Sequence, residues 1–80
     1  MDIESSVATL SALAQPTRLE VFRLLVRSEP DGLPAGEIAR LLGVPNNTMS
    51  SHLNILNRTR LVTTQALGRS IVYPVDIGAV

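Results

Sequence analysis

The sequence has no cysteine, no lysine and only one histidine among its 80 residues. Without cysteine the chain can form no disulfide, no thiolate nucleophile and no thiolate metal site, and it suits a reducing compartment. A single histidine leaves too few groups for most metal sites and for triad chemistry. We therefore predict a cytoplasmic protein that is not an enzyme and that has no metal site and no cofactor.

The sequence also lacks a long apolar run, although 45% of its residues are hydrophobic. No stretch approaches the roughly 20 residues that a bilayer requires, and the acidic start at Asp2 and Glu4 is unlike a secretory signal. We expect one small domain over residues 1–80, with no membrane partner. Domains of this size are often stabilised by pairing with a second chain, so a homodimer is expected.

Acidic and basic residues balance in total, but they occupy different halves of the sequence. Residues 1–37 carry six acids against three arginines, whereas residues 38–80 carry four arginines and only Asp76 as an acid. Between Ile38 and Val75 no carboxylate occurs. Two explanations are open: chance clustering of a few charges, or a surface kept free of anions because it meets a polyanion.

Four segments have the apolar spacing of amphipathic helices, at about residues 3–14, 16–28, 35–42 and 46–57. Pro16 suits a first helical turn, where its missing N–H has no partner to lose, and Gly43 can close the third helix in a left-handed conformation. The predicted inward residues are Leu19, Phe22, Leu25 and Val26 in the second helix and Ile38, Ala39, Leu41 and Leu42 in the third.

The first helix is apolar on more than one side. Ile3, Val7 and Leu10 recur at spacings of four and three, and further apolar residues widen this surface beyond one stripe. A helix of this kind needs more cover than a small domain supplies, so these three residues are a candidate dimer interface. A plain core helix is the alternative.

The third and fourth helices are separated by a tight turn at Gly43, a spacing typical of a helix-turn-helix. At 100° per residue, Met49, Leu53 and Leu56 form an apolar stripe on the fourth helix, and short polar residues occupy the opposite face. Asn and Ser favour helices less than Glu or Lys do, but Asn, Ser and Arg can bind base edges and phosphates in a major groove. An idle polar face is the alternative. The residues predicted to contact DNA there are Asn46, Asn47, Thr48, Ser50, Ser51, Asn54 and Arg58.

Two segments rich in β-branched residues follow, joined by Gly68 and Arg69, and they predict a hairpin over residues 61–75. Pro74 cannot donate to a ladder, so its strand should be an edge or should end there. A hairpin after a recognition helix is a wing, and we expect Arg69 at its tip and Arg60 before it to contact DNA. The predicted fold class is mainly α with a small β-hairpin, a winged helix-turn-helix DNA-binding domain.

Together these segments resemble the ArsR-type family of winged-helix transcriptional repressors over residues 13–75. The similar segments are LAQPTRL at 13–19, GEIARLLGV at 36–44, NTMSSHL at 47–53, and the wing with Gly68-Arg69 and Val72-Tyr73. The resemblance implies a homodimer, paired through its first and last helices, that binds double-stranded operator DNA and leaves it when an inducer binds.

The sequence departs from this family in ways that limit what the resemblance implies. Members with a soft-metal site on the third helix use paired cysteines there, where this chain has Pro34 and Gly36, so that site is absent. The inducer, a small molecule or a metalloid, is therefore not identifiable. Arg60 stands where the family usually has Gly, and a left-handed Arg60 would cost about 1 kcal/mol or more. His52 borders the apolar stripe without a co-ligand, so we interpret it as a half-buried structural residue.

Other questions stay open at this point. The operator, the regulated genes, repression as against activation, and continuation of the native chain beyond Val80 do not follow from the sequence. The alternative function is a winged-helix module for protein interaction or regulation, cut from a larger chain.

Overall fold

Helices form most of the computed structural model, which describes residues 2–76. The four helices are α1 (Ile3–Ala14), α2 (Pro16–Arg27), α3 (Ala35–Leu42) and α4 (Asn46–Arg58). The three strands are β1 (Leu33–Pro34), β2 (Gln65–Leu67) and β3 (Ser70–Tyr73). Each helix begins and ends within one residue of its predicted bounds, and the winged helix-turn-helix fold class is confirmed.

The helix ends are set by local chemistry. Asp2 precedes α1, and its Oδ1 accepts a hydrogen bond from the Ser5 N–H at 2.7 Å, which lowers the pKa of the Asp2 carboxyl. Pro16 begins α2, and Gln15 caps it by accepting from the Arg18 N–H at 2.8 Å. Gly43 ends α3 with a φ of 67°, in the left-handed region that glycine adopts without strain.

A single apolar cluster joins all four helices to the base of the wing, and α1 contributes Ala12 to it. Its largest fully buried side chains are Val21, Leu25, Ile38, Met49, Leu53, Leu56 and Val62.

Two predicted inward positions of α2 and one of α3 are wrong. Leu19 and Val26 are 39% and 44% exposed, and Leu41 is 49% exposed. Val21 instead accompanies Leu25 in the core, four residues apart on one line of the helix. At 100° per residue, Leu19 and Val26 lie more than about 100° from Val21, so α2 is rotated relative to the predicted stripe.

The sheet contains one strand more than the predicted hairpin. Its order is β1-β3-β2, antiparallel throughout, with Leu33 opposite Tyr73 and Gln65 opposite Val72. The additional strand, Leu33–Pro34, pairs with β3 across a long sequence separation, which local sequence patterns do not predict. Because β3 is therefore the central strand, Pro74 follows its end rather than lying in an edge strand.

The hairpin ladder is also shorter than the predicted range. Leu61 and Val62 are buried, and a single isolated bridge joins Val62 to Val75. The regular antiparallel ladder of the hairpin forms only between β2 and β3. Among residues 2–76, none of the four helices combines the length and the apolar character needed to cross a bilayer.

Candidate nucleic-acid interface

The turn between α3 and α4 fixes the direction of the second helix. With Gly43 left-handed, the Val44 N–H donates to the Ala39 carbonyl at 3.0 Å, which satisfies one of the last carbonyls of α3. Pro45 then stands in extended conformation immediately before α4. The two helices pack against each other as a helix-turn-helix.

Burial of one side of α4 exposes the other side. Met49, Leu53 and Leu56 are at most 1% exposed, so the predicted apolar stripe is confirmed as the inner face. The six polar residues predicted to contact DNA from this helix ahead of Arg58 are all exposed: Asn46, Asn47, Thr48, Ser50, Ser51 and Asn54. At 100° per residue, Asn47, Ser51 and Asn54 lie about opposite the stripe, whereas Asn46 and Thr48 lie on its flanks in the first turn.

Several of these side chains already bond to the backbone of their own helix. The Ser50 hydroxyl donates to the Asn46 carbonyl at 3.0 Å, and the Ser51 hydroxyl donates to the Asn47 carbonyl at 3.4 Å. Asn47 Oδ1 accepts from the Thr48 N–H at 2.9 Å. The serine oxygens keep lone pairs that accept from base amino groups, and the Asn47 amide keeps its NH₂ donor.

The first turn of α4 carries no acid and no side-chain cap from Pro45. Its outward N–H groups therefore add a partial positive charge at the end of the helix that bears Asn46 and Asn47. Such a terminus suits the phosphate of a nucleic acid backbone.

The positive charge of Arg40 is compensated by an acid, although Arg40 belongs to the half of the sequence in which acids are rare. Its guanidinium forms a two-point ion pair with Glu37, the last acid before that half. The hydrogen bond from Arg40 lowers the pKa of the Glu37 carboxyl and raises that of Arg40. Among residues 2–76 this is the one ion pair, so the positive charges without a carboxylate partner in this half are those of Arg58, Arg60 and Arg69.

The wing places Arg69 at its tip. Gly68, with a φ of 62°, and Arg69 form the two-residue turn between β2 and β3, and Arg69 is exposed. The turn requires a left-handed residue, which Gly68 supplies without steric cost.

Arg58 and Arg60 lie at the C-terminal end of the predicted contact surface. Arg58 is the last residue of α4 and follows Asn54 by four residues, so it lies about one turn beyond Asn54 on the same side of the helix. Both arginines line an open groove against α1. Arg60 adopts a φ of 64°, so the left-handed conformation anticipated from the sequence is present, although the residue is not glycine.

The apolar stripe of α1 has no cover among residues 2–76. Ile3, Val7 and Leu10 are 82%, 57% and 67% exposed, whereas Ala12 on another side of the same helix is buried. This pattern excludes a plain core helix and leaves an apolar surface available for a partner.

His52 is half-buried on the flank of the α4 stripe. Its Nδ1 atom is buried and has no hydrogen-bond partner in the described part of the chain. Burial lowers the pKa of His52, and the nearby charge of Arg18 lowers it further. Both effects favour the neutral form of the imidazole.

Sequence reasoning missed the contribution of α1 and α2 to the groove beside Arg58 and Arg60. Arg18 and Thr9 line that groove as well. No local pattern marks them, because they meet Arg58 only through the packing of α1 and α2 on α4.

Comparisons with known proteins agree with this geometry. The model of a helix-turn-helix domain family matches residues 13–65. The chain is 39% identical over 66 residues to the HTH-type transcriptional regulator NmtR of Mycobacterium tuberculosis, covering 82% of this chain and 52% of that protein. The chain thus spans about half the length of this curated relative.

Two solved structures have the same fold. One is an ArsR-like transcriptional regulator from Rhodococcus, with a TM-score of 0.81 and 32% identity, covering 95% of this chain and 68% of that one. The other is a homodimeric winged helix-turn-helix DNA-binding domain from Mycobacterium bovis, with a TM-score of 0.82 and 24% identity, covering 92% and 66%.

Proposed function

We propose, on the premise that this chain belongs to the ArsR-type family of helix-turn-helix transcriptional regulators, that it binds double-stranded operator DNA and represses transcription. In this proposal α4 enters the major groove and the wing lies along the flanking backbone. The protein has no catalytic activity, acts in the cytoplasm where it meets DNA, and is released by an inducer whose identity is open.

One observation carries the proposal: the exposed side of α4 is polar and free of acids, and the buried stripe on its other side fixes its orientation. Asn47, Ser51 and Asn54 are short enough to approach base edges closely, and their amide and hydroxyl groups match the donors and acceptors found there. An ordinary solvated helix face would gain stability from Glu and Lys pairs, which this face lacks.

In this proposal the protein acts as a homodimer. The uncovered stripe of Ile3, Val7 and Leu10 supports this, since a second copy would bury the same apolar surface from both sides. The related Mycobacterium bovis domain is described as homodimeric. A twofold dimer would present two α4 helices, so the operator would be palindromic with half-sites about one helical turn apart.

The proposal is tested by titrating the protein with duplex DNA whose sequence is not chosen in advance. Duplexes selected from a random pool are titrated by fluorescence anisotropy between about 50 and 200 mM salt, against a scrambled duplex. We expect selection of a palindrome and a steep loss of affinity with salt, because phosphate contacts release counterions. Failure to select any sequence, or affinity that does not change with salt, would contradict the proposal and favour a protein-interaction module.

A further inference from the structure

An open groove of about 870 Å³ lies between α1 and the C-terminal end of α4. Three arginines line it: Arg18 from α2, Arg58 from the last residue of α4, and Arg60 just beyond that helix. These residues are far apart in the sequence, and the packing of the helices brings them to one concavity. This groove is on a different part of α4 from the exposed polar face around Asn47.

No carboxylate is among the residues that line the groove. The one ion pair within residues 2–76 is between Glu37 and Arg40, so Arg18, Arg58 and Arg60 have no acid partner there. Asp2 accepts a hydrogen bond from the N–H of Ser5, which lines the groove, but Asp2 itself does not line it. The Thr9 hydroxyl adds a neutral donor to the wall.

The fold positions the side chain of Arg18 and the backbone of Arg60. Arg18 Nε donates to the Ala12 carbonyl at 2.8 Å, and Ala12 is only 2% exposed. The guanidinium is therefore fixed against α1, and its terminal NH₂ groups remain available as donors. Arg60 is held in the left-handed conformation, which costs a non-glycine residue free energy and is retained where the surrounding structure or a function requires it.

α1 separates this groove from the uncovered apolar stripe. At 100° per residue, Thr9 and Ala12 lie on about the opposite side of α1 from Ile3 and Val7. Ser11 also lines the groove and lies only about 40° from Val7, so a second copy docked on the stripe would border the groove there and leave the wall at Thr9 and Ala12 uncovered. The groove thus remains accessible to a small ligand in such a dimer.

We infer that this groove binds a small multivalent oxyanion, a carboxylate or a phosphate compound, through the three guanidinium groups. Guanidinium forks match the planar or tetrahedral oxygens of these anions and form charge-assisted hydrogen bonds with them. The volume admits a ligand larger than inorganic phosphate. This site does not depend on the proposed reading of bases by α4.

The test uses inorganic phosphate and citrate as separate probes, at an ionic strength kept constant with sodium chloride. Each is titrated into the ¹⁵N-labelled protein, and amide chemical shifts are followed. We expect saturable shifts confined to α1 residues around Thr9, to Arg18 and to residues around Arg60. Shifts that spread over all arginine-bearing surfaces, or none at concentrations up to tens of millimolar, would overturn the inference.

A pair of matched variants makes the test specific. Arg58→Gln combined with Arg60→Gln should weaken binding of the better probe by about tenfold or more, because charged hydrogen bonds are lost. Arg23→Gln combined with Arg27→Gln removes the same charge from exposed positions of α2 outside the groove and should leave binding within about twofold. Equal losses in both would overturn the site, because only net charge would then matter.

The competing assignment of Arg58 and Arg60 is to the phosphate backbone of DNA. Arg18→Gln removes the groove arginine that is not among the predicted DNA contacts, so this variant is titrated with both probes and with duplex DNA. We expect weaker binding of the better probe, with DNA affinity within about threefold of the unsubstituted protein and an unchanged salt slope. A uniform loss on all duplexes, with the slope reduced by about one unit, would assign the groove to DNA and overturn the anion site. A folded variant is verified by its circular dichroism before either titration.

Discussion

Gly32 lies directly against the peptide that joins Tyr73 to Pro74. A Cβ at Gly32 would stand 2.6 Å from the Tyr73 carbonyl oxygen, closer than side-chain carbons approach an oxygen. Gly32 also has a φ of 74°, and its N–H donates to the Ser28 carbonyl at 3.0 Å. This contact brings the turn after α2 to the end of β3, next to the pairing of Leu33 with Tyr73.

We expect Gly32→Ala to destabilise the fold by about 2 kcal/mol or more, because it adds a backbone clash to left-handed strain. Urea unfolding followed by circular dichroism measures the change. Gly36→Ala is the matched control, since nothing lies within 4 Å of a Cβ there and alanine is the better helix former by about 1 kcal/mol. Equal stability of the two variants would show that the Gly32 contact is not formed.

Arg60→Gly should be more stable than Arg60→Ala by about 1 kcal/mol. Both variants remove the guanidinium, but only glycine adopts the φ of 64° without steric cost. The comparison is made by urea unfolding under identical conditions. Equal stability of the two variants would contradict the left-handed conformation of residue 60.

Asn47→Ala and Arg69→Ala should affect DNA binding in different ways. Loss of the Asn47 amide should reduce discrimination between the selected and scrambled duplexes by about 1–3 kcal/mol. Loss of the Arg69 charge at the wing tip should weaken binding to both duplexes and reduce the salt slope by about one unit. Anisotropy titrations at several salt concentrations separate the two effects. Equal losses of Asn47→Ala on both duplexes would argue against base reading.

Leu10→Glu should dissociate the proposed dimer. Leu10 is 67% exposed in the single chain, so the change costs the fold little, but it would place an unpaired charge in an apolar interface. Sedimentation equilibrium should show at least a tenfold rise in the dimer dissociation constant. Leu67→Glu, at a leucine of β2 that is 59% exposed, is the control and should leave dimerisation unchanged. A similar rise in both variants would move the interface away from α1.

Acidification from about pH 7 to pH 5 should lower the free energy of unfolding. Burial, and then the charge of Arg18, hold the pKa of His52 below its ordinary value of 6.5. The unfolded chain therefore binds more protons than the native chain as pH falls through about 6.5, and stability is lost there; above that pH the contribution is fully present. His52 is the only histidine, so in His52→Gln the urea midpoint should depend less on pH over this range. An unchanged slope in the variant would assign the effect to other groups.

The sequence alone determined the helices and the main features of the α4 surface. Periodicity at 3.6 residues, Pro16 and Gly43 are local signals, and local signals act before any packing. The stripe of Met49, Leu53 and Leu56 fixed which side of α4 is exposed, because angles within one helix follow from spacing alone.

Tertiary packing decided what spacing cannot specify. Whether Val21 or Leu19 faces the core depends on the rotation of α2 against its neighbours, and the pairing of Leu33 with Tyr73 joins segments forty residues apart. The Arg40 charge is compensated by Glu37, whereas Arg18, Arg58 and Arg60 meet in one groove. The physical reason is the same in each case. Sequence spacing sets the angles between side chains within one element, and only contacts between elements set the orientation of that element and the neighbours its side chains meet.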